Sequence, residues 1–396
     1  MIALSAVKAL AKEYKNEVIA QRQHLHANPE LSFKEFETAR FIKAALEKAG
    51  IVHIRSMAGT GLVAEIQGKN PNSKTIALRA DIDALPITEQ NNVGYRSKNE
   101  GVMHACGHDV HTSSLLGTAK ILSALKDQFE GTVRLVFQPG EEKSPGGASL
   151  MIKEGVLKDP VPFSMLGQHV APQIPVGKVG FREGIYMASA DEIYLKVIGK
   201  GGHAAVPENN IDPIVIASHI IIGLQQVVSR FASPKIPTVL SFGKIIGNGA
   251  TNVIPNEVLI EGTFRTMNEK WRAEAKEKIK KMAESIAEGM GGKCEVTFMD
   301  GYPYLENEPA LTKRARNYAQ EYVGLENVID LDLWMAAEDF AFYTHHVDAC
   351  FYRLGVRNEA KGITSPVHTP TFDIDEDALE IGSGMMAWLA INELKV

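Results

Sequence analysis

TIALRADID, residues 75–83, is an apolar run that ends in two carboxylates, Asp81 and Asp83. A short apolar run of this kind predicts a buried strand, and the polar residues after it predict the loop at its carboxyl end. Helical patterns at 109–125 and 147–154 fall between successive strand-like runs, which are residues 61–66, 75–78, 132–137 and 163–166. Alternating strands and helices predict an α/β fold with a mostly parallel sheet.

Two helices are predicted before this region. The first covers residues 5–26, and the second begins at Ser32-Phe33-Lys34-Glu35 and ends at Gly50. The serine and the glutamate three residues later have the spacing of a capping box, and glycine is typical of a helix C-terminus.

The pattern changes between Asp191 and Phe298. The predicted order is a strand, a helix, two strands, a helix and a strand, at 192–198, 212–230, 238–246, 257–265, 269–289 and 293–298. This β-α-β-β-α-β order is the ferredoxin-like arrangement. Because such a unit is compact and self-sufficient, we predict an inserted domain at 185–298 within a first domain formed by 1–184 and 299–396.

Composition narrows the class of protein. The chain has 396 residues and a formal net charge of −6, so no excess of basic residues indicates a nucleic-acid partner. Its longest apolar runs, such as 214–224, are too short or interrupted for a membrane span, and the N-terminus lacks the pattern of a signal peptide. The three widely spaced cysteines form no disulfide framework, which predicts a cytoplasmic protein.

Reactive side chains recur where the predicted strands end. Residues 104–111, HACGHDVH, hold three histidines, a thiol and a carboxylate, and Cys106 and His108 flank a single glycine. Imidazole and thiolate are the ligands that zinc and similar ions prefer. Ligands gather beyond the carboxyl ends of strands in open α/β sheets. The sequence therefore gives five candidate metal ligands, which are Cys106, His108, Glu142, His169 and His368.

Five ligands exceed the usual set of one catalytic zinc, so we predict two ions, which two-metal hydrolases hold about 3.5–4 Å apart. Such a pair lowers the pKa of bound water towards about 7 and polarises a carbonyl. Glu141 stands next to the ligand Glu142 and is predicted to be the general base. Asp83 is predicted to support a ligand histidine.

Each residue alone also has an ordinary structural explanation. A pair such as Glu141-Glu142 is usually a solvated turn, a lone His169 or His368 is often structural, and Cys106 can be a small buried hydrophobe. The joint placement at strand ends favours the metal site.

In the predicted inserted domain, residues 199–207 form a glycine-rich segment with one histidine, His203. The spacing of a phosphate loop is absent, so a tight turn explains the segment by itself. Arg265 ends an apolar strand, where it can bind a carboxylate through two hydrogen bonds or form a surface ion pair. Asn252 is a weak signal alone.

These motifs together resemble the M20 family of metal-dependent amidohydrolases and peptidases, and its aminoacylase branch most closely. That branch includes hippurate hydrolases and N-acetyl-amino-acid deacetylases. The resemblance covers nearly the whole chain, through residues 22–32, 78–86, 103–111, 141–142, 201–204, 337–340 and 367–369.

The resemblance implies a zinc-peptidase-like catalytic domain with an inserted lid or dimerisation domain. It implies that the five ligands bind two divalent ions, that Glu141 is the base, and that His203 contacts the substrate with Asn252 nearby. In dimeric relatives the matching histidine comes from the neighbouring subunit, so we expect a homodimer or a higher homo-oligomer.

Asp81 and Cys106 stand where the peptidase branches usually carry histidine and a bridging aspartate. This favours hydrolysis of N-acyl amino acids, with a dipeptidase or an N-acetyl-diaminopimelate deacetylase as the alternative on the same site. A thiol hydrolase using Cys106 and a non-catalytic metal-dependent binding protein are alternatives of other classes. A thiolate ligand leaves manganese, zinc, nickel and cobalt open.

Overall fold

A computed structural model describes residues 2–396. The strands are β1 (Ile54–Met57), β2 (Gly61–Gln67), β3 (Thr75–Asp81), β4 (Thr132–Gln138), β5 (Ser164–Pro175), β6 (Val179–Phe181), β7 (Gly184–Met187), β8 (Asp191–Ile198), β9 (Gly202–His203), β10 (Thr238–Ile246), β11 (Val253–Ile254), β12 (Glu257–Thr266), β13 (Lys293–Asp300), β14 (Leu305–Asn307), β15 (Val328–Asp330) and β16 (Ala349–Arg357). The helices are α1 (Leu4–Ala27), α2 (Phe36–Lys48), α3 (His108–Leu125), α4 (Gly147–Lys153), α5 (Pro213–Gln226), α6 (Glu269–Gly289), α7 (Pro309–Val323), α8 (Ala341–Thr344) and α9 (Asp377–Glu393).

The chain forms two compact units. The first comprises the chain up to Tyr186 together with Glu306–Asp332 and Asp339–Val396, and the second comprises Met187–Leu305 and Leu333–Glu338. The short return to the second unit was not anticipated in the predicted bounds of 185–298. It follows from backbone pairing, since the Ala188 amide donates to the carbonyls of Trp334 and Ala336.

The first unit is built on an eight-stranded sheet with the order β1-β2-β4-β3-β5-β16-β6-β15. The central neighbours β4, β3, β5 and β16 are parallel, whereas β1, β2 and the β16–β6 pair introduce antiparallel neighbours. The predicted mostly parallel sheet is therefore confirmed: its central pairs are parallel, as is the outer β6–β15 pair, and antiparallel pairs lie on either side of the centre. Every residue of β3 and β4 is buried, as expected for strands covered on both faces.

Helix α3 lies deep in this unit and packs against α1 and α9. Most of its polar residues are buried with its apolar ones, and the Thr118 hydroxyl donates to the carbonyls of Ser114 and Ser383. Helix α3 is therefore held by packing against α1 and α9 and by buried hydrogen bonds.

The predicted capping box at 32–35 is wrong. Helix α2 begins at Phe36, its N-cap residue Glu35 makes no capping bond, and the Glu30 side chain accepts from the amides of Glu37 and Thr38. The Ser32 hydroxyl donates instead to Asp83 at 2.6 Å, and Glu35 accepts from the Gly140 amide at 2.9 Å and the Thr60 hydroxyl at 2.6 Å. Both side chains therefore stabilise loops of the sheet rather than the helix start.

The second unit has a four-stranded antiparallel sheet with the order β10-β12-β8-β13. Its apolar core is formed with residues of α5 and α6. The strand order and the β-α-β-β-α-β chain order confirm the ferredoxin-like prediction. Helix α5 is capped by Asp212, which accepts from the amides of Ile214 and Val215.

One helical segment of the described residues 2–396, Pro213–Phe231, is long and apolar enough by composition to cross a membrane. Core helices of globular proteins often share this length and composition. Here Ile216, Ile220 and Leu224 are buried in the core of the second unit, while Ile222 is 70% exposed.

Candidate metal centre

The carboxyl ends of β3 and β4 and the middle of β5 carry residues of the candidate site. Asp81 ends β3, and the Glu141-Glu142 turn follows β4. His169 lies inside β5, whereas the prediction placed it after the strand. β5 continues because it pairs with β16 beyond His169, but its pairing with β3 ends at Gly167. His169 therefore lies two residues past the end of the β3–β5 pairing.

A left-handed glycine sets the spacing of Cys106 and His108. Gly107 has φ 87° and precedes the first residue of α3. A Cβ at this position would meet Val170 Cγ2 at 2.4 Å, so the turn requires glycine both for its backbone angle and for space.

The five predicted ligands converge. Cys106 Sγ lies 3.5 Å from His169 Nε2 and 3.3 Å from His368 Nε2. Glu142 Oε1 lies 3.4 Å from His368 Nε2 and 3.8 Å from His108 Nε2. The ligand atoms form two overlapping groups that share the cysteine, Cys106–His108–His169 and Cys106–Glu142–His368, each with atoms within 4.8 Å of one another.

Hydrogen bonds at the far nitrogens orient two of the rings. His108 Nδ1 lies 2.9 Å from the Asp83 carbonyl oxygen and 3.1 Å from Asp83 Oδ1, and His169 Nδ1 lies 2.8 Å from the Val170 carbonyl oxygen. Because a carbonyl only accepts, Nδ1 carries the proton and Nε2 faces the cluster, which is the usual arrangement of ligand histidines.

Unpartnered atoms point to an ion at this place. His108 Nε2 and Glu142 Oε1 are buried and make no hydrogen bond. Buried polar atoms without a partner are uncommon in proteins. Together with the thiol and imidazole donors, they fit divalent transition-metal ions.

Burial and the nearby carboxylates perturb the ligand groups. Burial, with the charges of Glu142 and Glu141, raises the pKa of Cys106 well above its ordinary value. Burial alone would lower the pKa of His108, but Asp81 and Asp83 raise it to about 10. Both groups therefore hold protons near neutral pH that a metal ion would displace.

Glu141 lies beside the ligands. It is buried, and its Oε2 is 3.9 Å from His108 Nε2. The turn that carries it is held by Asp83, whose Oδ2 accepts from the Glu142 amide at 3.0 Å. Burial would raise the pKa of Asp83, but the hydrogen bond with His108 lowers it. Asp83 therefore contacts both the ligand His108 and the Glu141-Glu142 turn.

His368 differs from the other ligands in being 52% exposed on its side chain. It has φ 62°, a conformation that is strained for a non-glycine residue. Its amide donates to the Ala105 carbonyl at 2.7 Å, which attaches the His368 loop to the segment before Cys106.

A second layer of buried charge was not assigned from sequence. Arg79 donates to Asp81 at 2.7 Å and to Asp339 at 2.8 Å, and Asp81 Oδ1 lies 2.5 Å from His111 Nδ1. Asp339 also accepts from the Gln138 amide group and from the Ala148 backbone amide, on either side of the Glu141-Glu142 turn. The motifs at 78–83 and 337–340 were visible in the sequence, but not their partnership.

The predicted substrate residues lie in the second unit. His203 is exposed in β9, paired with Val253 of β11, and its Nδ1 accepts from the Ala205 amide at 3.1 Å. The Asn252 carbonyl accepts from the Ala204 amide at 3.0 Å, so His203 and Asn252 lie on adjoining segments. Arg265 is half-buried and donates to the Met335 carbonyl at 3.2 Å.

Known proteins resemble the chain over most of its length. It is 42% identical over 363 residues to the N-acetyl-L-cysteine deacetylase of Bacillus subtilis, covering 92% of this chain and 85% of that protein. It is 43% identical over 296 residues to the N-acyl-L-amino acid amidohydrolase of Geobacillus stearothermophilus, covering 75% and 79%.

A solved structure agrees with these relatives. The Bacillus subtilis YXEP protein, described as a dinuclear metal binding peptidase from the M20 family, matches with a TM-score of 0.84 and 36% identity, covering 97% of this chain and 99% of that chain. A family model described as peptidase family M20/M25/M40 matches residues 77–392. The chain therefore belongs to the peptidase family M20/M25/M40.

Proposed function

We propose that the chain hydrolyses the amide bond of N-acyl amino acids, of the N-acetyl or N-benzoyl type, to a carboxylic acid and a free amino acid. Membership of the family makes it a hydrolase. The names of its similar relatives, an N-acetyl-L-cysteine deacetylase and an N-acyl-L-amino acid amidohydrolase, support N-acyl amino acids as the substrate class.

The observation that carries the proposal is the cluster of five ligand side chains with Glu141 at its edge. Cys106, His108, Glu142, His169 and His368 would hold two divalent ions. Such ions, when bound, lower the pKa of water and polarise the scissile carbonyl. The mixed thiolate, imidazole and carboxylate set suits manganese or zinc, and also nickel or cobalt.

Glu141 would take the proton from the attacking water and return it to the leaving nitrogen. Its burial beside His108 supports this role, because a carboxylate shielded from bulk water keeps its proton within the site. Asp83 would bind both the His108 ring and the Glu142 amide, which would fix the position of the base Glu141 relative to the ligand His108.

The second unit would act as the lid and dimerisation domain. The His203 ring is exposed, and its Nδ1 accepts from the Ala205 amide. Its Nε2 would then contact a substrate carboxylate or the oxyanion. Asn252 would lie beside it. Arg265 is a weaker candidate, because its guanidinium already donates to a backbone carbonyl.

A homodimer is supported by exposed apolar residues and an open sheet edge in the second unit. Ile214, Val215 and Ile222 of α5 are 40%, 45% and 70% exposed, and β10 is an unpaired edge of the sheet. Exposed apolar patches and open edges are typical of interfaces. Mixing Glu141→Gln with His203→Ala subunits should restore activity if His203 works across the dimer, and should not if each subunit is self-sufficient.

The test is hydrolysis of a panel of N-acetyl, N-benzoyl and longer N-acyl amino acids, by protein stripped with EDTA and resupplied with each metal. Activity that returns with metal on the acylated compounds is expected. Dipeptides with a free amine, and N-acetyl-diaminopimelate, are the discriminating substrates, since preference for them would replace this substrate class.

A thiol hydrolase is disfavoured by the electrostatics of Cys106. The raised pKa of its thiol opposes formation of a free thiolate nucleophile. Activity that survives EDTA and is lost on alkylation would overturn this. Complete inactivity of the metal-loaded protein on the whole panel would favour a binding protein.

We place the protein in the cytoplasm. Cys106, Cys294 and Cys350 are buried and unpaired, which suits a reducing compartment.

A further inference from the structure

Arg22 is a fully buried arginine in α1, a helix that carries none of the proposed ligands. Its Nε donates to Asp109 Oδ2 at 2.8 Å, and its Nη2 donates to Asp373 Oδ1 at 2.7 Å. A guanidinium keeps its charge inside a protein, so its burial requires such partners.

The two carboxylates belong to the two segments that bring ligands from opposite ends of the chain. Asp109 follows His108 in the first turn of α3, and Asp373 lies five residues after His368 in the loop that precedes α9. One guanidinium therefore joins α1 both to the helix of one ligand and to the loop of another.

The His368 loop needs such an attachment. Its ligand has a strained backbone at φ 62° and an exposed side chain, so local packing alone does not fix it. Tyr95 also donates to Asp373, at 2.8 Å, and its ring lies 4.8 Å from the Arg22 guanidinium carbon. Asp373 is thus held from two sides.

His26 extends the cluster by one turn of α1. Its Nδ1 lies 2.8 Å from Asp109 Oδ2 and its Nε2 lies 3.1 Å from Glu89 Oε1. Asp109 therefore has two partners on α1, and neither of them touches a ligand directly.

We propose that Arg22 is a positioning residue for the metal centre: through Asp109 and Asp373 it holds His108 and His368 at the separation that binding requires. This rests on the proposed metal-dependent function. It predicts an effect on metal affinity that loss of stability alone would not produce.

The test is Arg22→Met, which keeps an apolar stem and removes the hydrogen bonds to Asp109 and Asp373. Zn²⁺ and, separately, Mn²⁺ are titrated calorimetrically into metal-free protein, without substrate. Affinity should fall about 10–100-fold, the range seen for groups that support metal ligands. Arg22→Lys should recover only part of the metal affinity, because one ammonium group does not reproduce the hydrogen bonds of a guanidinium to two carboxylates.

Arg314→Met is the matched control. Arg314 also makes two hydrogen bonds, each 2.9 Å, to the buried Glu393 in the same unit, but between α7 and α9 and away from the ligands. It should lower the melting temperature and leave metal affinity unchanged. An Arg22→Met protein that behaves in the same way would overturn the proposal.

If Arg22→Met does not fold, Asp373→Asn carries the test, since Asp373 is 15% exposed and the Arg22–Asp109 bond remains. It should weaken metal binding about 10-fold, and wild-type affinity would overturn the proposal. Because no substrate is used, an effect on affinity stands even if the wild-type protein hydrolyses no N-acyl amino acid. A wild-type protein that binds no divalent ion would overturn both proposals.

Discussion

The ligand cluster of the first unit and the histidine loop of the second unit hold their histidines in different ways. His108 and His169 are buried, and each has its Nδ1 bound to a backbone carbonyl. His203 is exposed, and its ring is held only by the hydrogen bond from the Ala205 amide, in a two-residue strand pair.

The difference indicates a division of work. A metal ligand must be oriented before the ion arrives, and burial with a carbonyl partner does this. A residue that meets a substrate needs an open face. Substitutions in the cluster should therefore change metal content and stability, whereas substitutions in the loop should change turnover alone.

The largest effect is expected from Glu141→Gln. Glutamine keeps the size of the side chain but accepts no proton, so kcat should fall about 10²–10⁴-fold. Metal content should stay at the wild-type level, because Glu141 is not among the proposed ligands. Both are measured by steady-state assay and elemental analysis. The control, Glu142→Gln, should lose metal, and a Glu141→Gln enzyme at the wild-type rate would eliminate this base.

His203→Ala is expected to lower kcat about 10²–10³-fold, the usual cost of one oxyanion donor. Its melting temperature and metal content should match the wild type, because the ring is exposed. His169→Ala is the matched change in the cluster, and it should lose metal and melt earlier. If both variants lost metal equally, the proposed division between the two regions would be wrong.

Metal binding should depend on pH because the ligands hold protons beforehand. Carboxylates raise the pKa of His108 to about 10, and burial raises that of Cys106. Below these values each ion displaces protons, so apparent affinity should rise with pH, by up to tenfold per unit for each proton released. Calorimetry in two buffers of different ionisation enthalpy measures the release. Binding without proton release would contradict the protonated state of the ligands.

The sequence predicted the parts of this site that depend on local pattern. Strand ends, the Cys106-Gly107-His108 spacing and the glutamate pair are short-range features, and the structure brings those residues together. The ferredoxin-like order of the second unit followed from alternating periodicity for the same reason.

Long-range ionic partners could not be predicted in this way. Arg22 pairs with Asp109 and Asp373, which lie 87 and 351 positions away in the chain. Ser32 matched a capping box, but its hydroxyl donates to Asp83, which is 51 positions away. A local motif does not reveal a competing acceptor that only the fold supplies.

The smallest effect on turnover is expected from Asp191→Asn. Asp191 is the first residue of β8, whereas His203 lies in β9. Asp191 accepts from Arg272 at two positions, both 2.7 Å, and from Lys276 at 2.8 Å. Burial would raise its pKa, but the hydrogen bonds from Arg272 and Lys276 lower it. Because the pKa of Asp191 is lower in the folded than in the unfolded protein, its charge stabilises the fold at pH values above the unfolded-state pKa, near 4. This contribution is lost as the pH falls through the folded-state pKa.

Asp191→Asn should therefore lower the free energy of unfolding by about 3–5 kcal/mol at pH 7, and by less at pH 3. Glu261→Gln, which removes an exposed pair with Lys244, is the control and should change it by less than about 1 kcal/mol. Calorimetric unfolding at both pH values measures the difference. A deficit of the same size at pH 3 would show that the Asp191 charge is not its source, and a large loss of kcat in the folded variant would show that the second unit contributes more than an exposed histidine loop.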